Sequence, residues 1–191
     1  MKRIVIFASG SGTNAENIIR FFQGREDAKV VQVLSNKKDA KVLERANTHE
    51  VSAFSFNRTA FYQSEDVLNL LKATHPDLIV LAGFLWKFPT DLIEAFPNRI
   101  INLHPALLPK YGGKGMYGMH VHKAVIANRE ETSGITIHYV NEQYDEGAII
   151  FQASTKIEAK DTPEILAAKI HSLEYEHFPM VIAQLLSDQN K

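Results

Sequence analysis

The sequence predicts an α/β fold: one open, mostly parallel, twisted sheet with helices on both faces. Short runs rich in Val, Ile and Leu recur along the chain, each about the length of a strand. Between them lie longer stretches whose apolar residues stand three and four apart, the spacing of one face of a helix. Strands alternating with helical patterns in this way are the rhythm of a parallel sheet with crossover helices. The chain has 191 residues, 45% of them hydrophobic and 23% charged, which is enough apolar material for one good core and too little for two. One domain over residues 1–191 is therefore expected.

The elements follow in order. Arg3–Ala8 is apolar after a charged pair, but the run stops at Ser9-Gly10-Ser11-Gly12, too soon for an export signal or a membrane span. It is read as a buried first strand. Lys29–Leu34, Val51–Phe56 and Leu78–Leu81 give the next three, with helices at Asn14–Phe22, Ala40–Asn47 and Arg58–Ala73 between them. His75-Pro76 closes the third helix. A fifth strand, Ile100–Leu103, runs into His104-Pro105, so polar side chains stand at its C-terminal end, where open α/β sheets bind ligands. Pro109–Met119 holds four glycines and no periodicity, and is read as a long loop. Beyond it the pattern predicts a helix near Val121–Ala127, a strand pair at Ile135–Val140 and Ala148–Thr155, and a last helix opening at Asp161-Thr162-Pro163-Glu164. Proline at the first helical position after a capping residue is a common start.

Composition removes several function classes. The formal net charge is -1, from 21 basic and 22 acidic side chains, so no general field holds nucleic acid or an anionic membrane. Any anionic ligand must be held locally. With no cysteine there is no disulfide, thiolate nucleophile or Cys-ligated zinc, which fits a reducing compartment such as the cytoplasm. Eight histidines raise the question of a metal, but His120-x-His122 does not place both rings on one helical face, and Glu174-x-x-His177 lacks the second copy a di-iron site needs. No metal is expected. His138, alternating with Ile135, Ile137 and Tyr139, is read as a packed, hydrogen-bonded strand residue, and His49, His75 and His171 as surface or helix-end residues.

Two places carry candidate chemistry. Gly10-Ser11-Gly12-Thr13-Asn14-Ala15 lies between a strand and a helix, where free N–H groups and the helix dipole suit a phosphate and glycine permits close backbone approach. The same string satisfies G-x-G-x-x-A, which keeps an NAD(P)-dependent oxidoreductase as the alternative. Against it, the second strand ends in Ser35-Asn36-Lys37-Lys38, without the acid that holds an NAD ribose. At the second place, Asn102 and His104 are two apart on a strand and share a face, offering an amide and an imidazole to one centre. Asp145, in a turn between two strand-like runs, is placed to approach them from a neighbouring strand. The residues alone leave a hydrogen-bonded strand end, or a binding module without catalysis, as open readings.

The string Asn102-Leu103-His104-Pro105-Ala106-Leu107-Leu108-Pro109, with the later Asp145-x-Gly147, resembles the formyltransferases that use 10-formyltetrahydrofolate. Phe7–Asn14 and Leu81-Ala82-Gly83-Phe84 look like the branch that acts on glycinamide ribonucleotide (GAR), and the resemblance runs over essentially the whole chain to near Pro179. It implies a Rossmann-like formyltransferase fold and a cytoplasmic enzyme of purine biosynthesis. That enzyme takes 10-formyltetrahydrofolate as co-substrate, without a metal, and has small-molecule partners only, as a monomer or homodimer. It further implies that Gly12, Thr13 and Asn14 hold the ribonucleotide phosphate, that Glu174 contacts the ribose, and that Asn102, His104 and Asp145 are catalytic. Leu85, Trp86, Lys87, Phe88, Asn141, Glu142 and Gln143, with Asn102, match the folate-binding segments.

Two departures stand out: Trp86 occupies a position where many members have Arg, and the arginine expected early in the third helix has Gln63 or Ser64 in its slot, with Arg58 displaced. Trp86 either rims the cleft or caps the core, and Lys110 and Lys114 are read as solvated loop charges. In the implied chemistry the Asn102 amide and protonated His104 stabilise a tetrahedral oxyanion, while Asp145 favours the imidazolium and helps move the proton.

Overall fold

From its first residues the chain alternates strand and helix: β1 (Lys2–Phe7), α1 (Thr13–Phe22), β2 (Ala28–Ser35), α2 (Lys41–Thr48) and β3 (Ser52–Ser55). Two short helices follow, α3 (Arg58–Tyr62) and α4 (Asp66–Thr74), then β4 (Leu78–Leu81), α5 (Thr90–Ala95) and β5 (Ile100–His104). The last elements are α6 (Met119–Ala127), β6 (Thr132–Tyr139), β7 (Ile149–Lys156) and α7 (Pro163–Asp188). This computed structural model describes residues 1–188; the last three residues of the expected domain lie outside them.

The seven strands form one sheet in the order β3-β2-β1-β4-β5-β6-β7. The first five in that order are parallel, and β6 and β7 add antiparallel to β5. The chain works outward from β1 through β2 to β3, then returns to place β4 on the other side of β1. That reversal leaves a crevice at the C-terminal ends of the central strands, the place where doubly wound sheets take ligands.

Successive side chains of a strand point to opposite faces, and β1 shows the result. Ile4 and Ile6 pack with Ile18 and Phe22 of α1 and Phe178 and Ile182 of α7; Val5 and Phe7 pack on the other side with Leu68 and Leu71 of α4. All four β1 residues are fully buried, each contributing roughly 1.5–3 kcal/mol of apolar burial. Phe7 sits in an aromatic cluster with ring centroids 5.4 Å from Phe84 and 5.2 Å from Phe88, both edge to face. This cluster lies under the segment that follows β4 and fixes its course.

The structure differs from the sequence reading in three places. The helix expected over Arg58–Ala73 is two helices, because Ser64 turns its hydroxyl onto the Thr59 carbonyl and the Asp66 carboxylate and interrupts the helical ladder. Helix α5 was not expected; it is six residues long and begins after Pro89. β6 starts at Thr132, three residues before the predicted strand, since Thr132–Gly134 pair with the end of β7. Gly134 permits that approach: a Cβ there would lie 2.0 Å from the Ala153 carbonyl oxygen. Among the described residues no helix is long and apolar enough to cross a membrane.

Candidate active site

β5 delivers Asn102 and His104 to the crevice, and its antiparallel neighbour delivers a third polar side chain. Asn102 pairs across the ladder with His138 of β6. His138 Nδ1 lies 2.8 Å from the Tyr139 carbonyl, to which it donates, and this leaves Nε2 as the acceptor for Asn102 Nδ2 at 3.1 Å. His138 is thus a packed, hydrogen-bonded residue, as the sequence suggested, and it also orients the Asn102 amide.

Asp145 stands in the β6–β7 turn at φ 57°, in the left-handed region that Asp and Asn enter more readily than other side chains. The Gly113 N–H donates to its Oδ2 at 2.9 Å. From there Oδ2 is 3.5 Å from His104 Nδ1, and Oδ1 is 3.4 Å from Asn102 Nδ2 and 3.6 Å from His138 Nε2. The other nitrogen of His104, Nε2, donates to the Tyr111 carbonyl at 2.7 Å.

These contacts set the charges. Burial pushes Asp145 toward the neutral acid, but the adjoining His138 ring, the facing His104 ring and the Gly113 N–H outweigh it and hold the carboxyl below its ordinary range. For His104 burial dominates and lowers its pKa, with Asp145 and the Tyr111 carbonyl pulling the other way and His138 adding to the lowering. An ionised carboxylate therefore faces an imidazole that is largely neutral until something in the cleft stabilises its cation. That is the arrangement of a proton-transfer pair.

The three residues line a cavity of about 880 Å³ at the C-terminal edge of the sheet. Asn14 and Glu174 form one part of its wall, and Leu85, Trp86, Lys87, Phe88, Asn141 and Gln143 a second. Ser9, just after β1, accepts from the Leu85 N–H at 2.9 Å and ties the second wall to the central strand. In the first part Asn14 Nδ2 donates to Glu174 Oε2 at 2.8 Å, and His171 Nδ1 lies 3.1 Å from the same oxygen.

Gly12, Thr13 and Glu142 are not on the cavity wall. Gly12 is the N-cap of α1 at φ 75°, and no side chain caps the helix, so its first N–H groups remain available to an anion. The glycine answers a packing demand as well as the expected ligand approach: a Cβ there would lie 2.3 Å from Val42 Cγ2 of α2. Trp86 does both things left open for it, lining the cavity and packing on Phe56, Phe61, Tyr62 and Phe84. The displaced Arg58 lays its guanidinium 4.8 Å from the centre of that indole ring. Lys110 pairs with Glu130 on the surface, whereas Lys114 lies on the cavity wall.

The formyl transferase family model matches residues 2–182. The phosphoribosylglycinamide formyltransferase of Bacillus subtilis (strain 168) is 36% identical over 198 residues, an alignment covering 100% of this chain and 98% of that one. Among solved structures, the phosphoribosylglycinamide formyltransferase of Bacillus halodurans superposes with a TM-score of 0.87 at 38% identity, covering 97% and 96% of the two chains. Glycinamide ribonucleotide transformylase 1 of Symbiobacterium toebii gives 0.89 at 33%, covering 98% and 89%. With sequence and fold agreeing over nearly its whole length, this chain belongs to the formyl transferase family.

Proposed function

We propose that the protein transfers the formyl group of 10-formyltetrahydrofolate to the primary amine of GAR, giving formyl-GAR and tetrahydrofolate in purine biosynthesis. The observation that carries this reading is that Asn102, His104 and Asp145 share one cavity wall with Asn14 and Glu174 and with the Leu85–Phe88 segment. Ser11 and Asn14, which flank the phosphate-suited start of α1, line that cavity, as do Asn141 and Gln143. The relatives named above carry that activity in their names. In this reading the chain acts as one formyltransferase domain in the cytoplasm, on small molecules and without a metal.

The chemistry asks for three things of the residues. As the amine adds to the formyl carbon, the Asn102 amide and the His104 imidazolium stabilise the oxyanion. His104 gives up its bond to the Tyr111 carbonyl to donate there. Asp145 stabilises the imidazolium and, directly or through a water, carries the proton lost by the amine toward the folate nitrogen as its bond to the formyl carbon breaks. The apolar side chains of Trp86 and Phe88 on the wall limit the bulk water that can reach the formyl group and so slow its hydrolysis.

The test is an assay of purified protein with 10-formyltetrahydrofolate and GAR, with NADH and NADPH oxidation followed alongside. Formyl-GAR and tetrahydrofolate in equal amounts, with no nicotinamide oxidation, is the expected result. Hydride transfer without formyl transfer overturns the reading.

A further inference from the structure

His122 lies in the first turn of α6, is 5% exposed, and lines the same cavity. Its Nδ1 is sealed from solvent and has no hydrogen-bond partner. Buried polar atoms in folded proteins are nearly always paired, and an unpaired one costs the full price of its desolvation. The other histidines of the cavity wall are all engaged: His104 with Tyr111, His138 with Tyr139 and Asn102, His171 with Glu174. Asn14 Oδ1, also on the wall, is the cavity's second buried polar atom without a partner. Two such atoms in one cavity mark where a polar ligand completes the site.

The place of His122 along the cavity narrows what it meets. It shares the cavity wall with His104 and Glu174, and the charges of both act on its ring. GAR carries, in order, a primary amine, a methylene, a carboxamide, a ribose and a phosphate. With the amine at His104 and the ribose at Glu174, the group between them is the carboxamide. A neutral imidazole donates through one nitrogen and accepts through the other, and a secondary carboxamide offers one acceptor and one N–H. Resting on the functional reading above, we infer that His122 hydrogen-bonds the acceptor's carboxamide and fixes the amine in line with the formyl carbon.

A residue kept for a ligand contributes differently from one kept for the fold. Replacing a buried, unpaired imidazole with an apolar ring removes an unsatisfied group, so His122→Phe should melt at or above the wild-type temperature. Its kcat/KM for GAR should fall roughly ten- to a hundredfold while KM for 10-formyltetrahydrofolate stays within about twofold. Ribose 5-phosphate, which lacks the carboxamide, should inhibit wild type and variant with constants within about twofold of each other.

His122→Asn, which keeps one donor and one acceptor, should recover part of the loss, and it carries the same comparison if His122→Phe does not fold. Unchanged kcat/KM for GAR overturns the inference. Equal weakening of GAR and ribose 5-phosphate overturns the carboxamide assignment, and a lower melting temperature with every ligand constant intact makes His122 a structural residue. Wild-type protein inactive toward GAR overturns the functional reading and this inference with it; active wild type with an unaffected variant overturns the inference alone.

Discussion

Asp145 and His104 face each other across 3.5 Å, Oδ2 to Nδ1, while the far nitrogen of the same ring is held 2.7 Å from the Tyr111 carbonyl. The carboxylate is thus placed to answer a proton arriving on Nδ1, and it is itself kept ionised by three neighbours.

Substituting Asn for Asp145 isolates that charge. Asn accepts the left-handed backbone as readily as Asp, so the turn at φ 57° survives and the shape of the site is kept. Turnover of the folded variant should drop roughly a hundredfold or more, with little change in KM for either substrate. Steady-state kinetics decide it, and a near-wild-type kcat would take the aspartate out of proton transfer.

The pH dependence of stability has a definite sign. Burial lowers the pKa of His104 and of His122 in the folded chain below the ordinary value of about 6.5, which the unfolded chain retains. Below that value the unfolded state binds more protons, so stability is fully present above about pH 6.5 and falls on acidification through the window down to the folded pKa values. Asp145, whose folded pKa is also depressed, adds a loss in the same direction at lower pH. Melting temperatures measured from pH 7.5 down to 5 should decline, less steeply in His122→Phe; a flat profile would contradict the assignment.

At the start of α1, Gly12→Ala should destabilise the fold by roughly 1–3 kcal/mol, through both the positive φ and the collision with Val42. Val42→Ala does not lift the collision, because Val42 Cβ at 2.4 Å and Cα at 2.7 Å still meet the new Cβ. The double variant Gly12→Ala with Val42→Ala should therefore melt no higher than Gly12→Ala alone, and a clear recovery of the melting temperature would mean that only the valine methyls oppose a side chain at position 12.

What the sequence made legible were features written locally. The apolar stretch Arg3–Ala8 ended by glycines announces a buried strand and a tight turn, and Asn102 and His104 announce themselves as polar residues closing an apolar strand. What stayed hidden was written in partners far along the chain. His138 reads as an ordinary strand histidine until the antiparallel register sets it opposite Asn102. The reason for Gly12 lies thirty residues on, in a valine of the next helix. Ser64 looks compatible with a continuous helix, and only its bonds to Thr59 and Asp66 reveal the break. His122 differs from its neighbours by a bond it does not make, which no spacing in a sequence records.

Trp86 is the chain's only tryptophan, half-buried on the wall of the cavity with Arg58 over its ring. All indole emission of the protein therefore originates at one end of the cleft, from a ring that is partly wet when that end is empty. A molecule seated against it strips away the water and shifts the emission toward the blue, while one held only at Glu174 leaves the spectrum unchanged. The protein carries its own optical gauge for whatever seats at Trp86 and is nearly blind to what is held at Glu174 alone, so the two contacts are separable by light without a label.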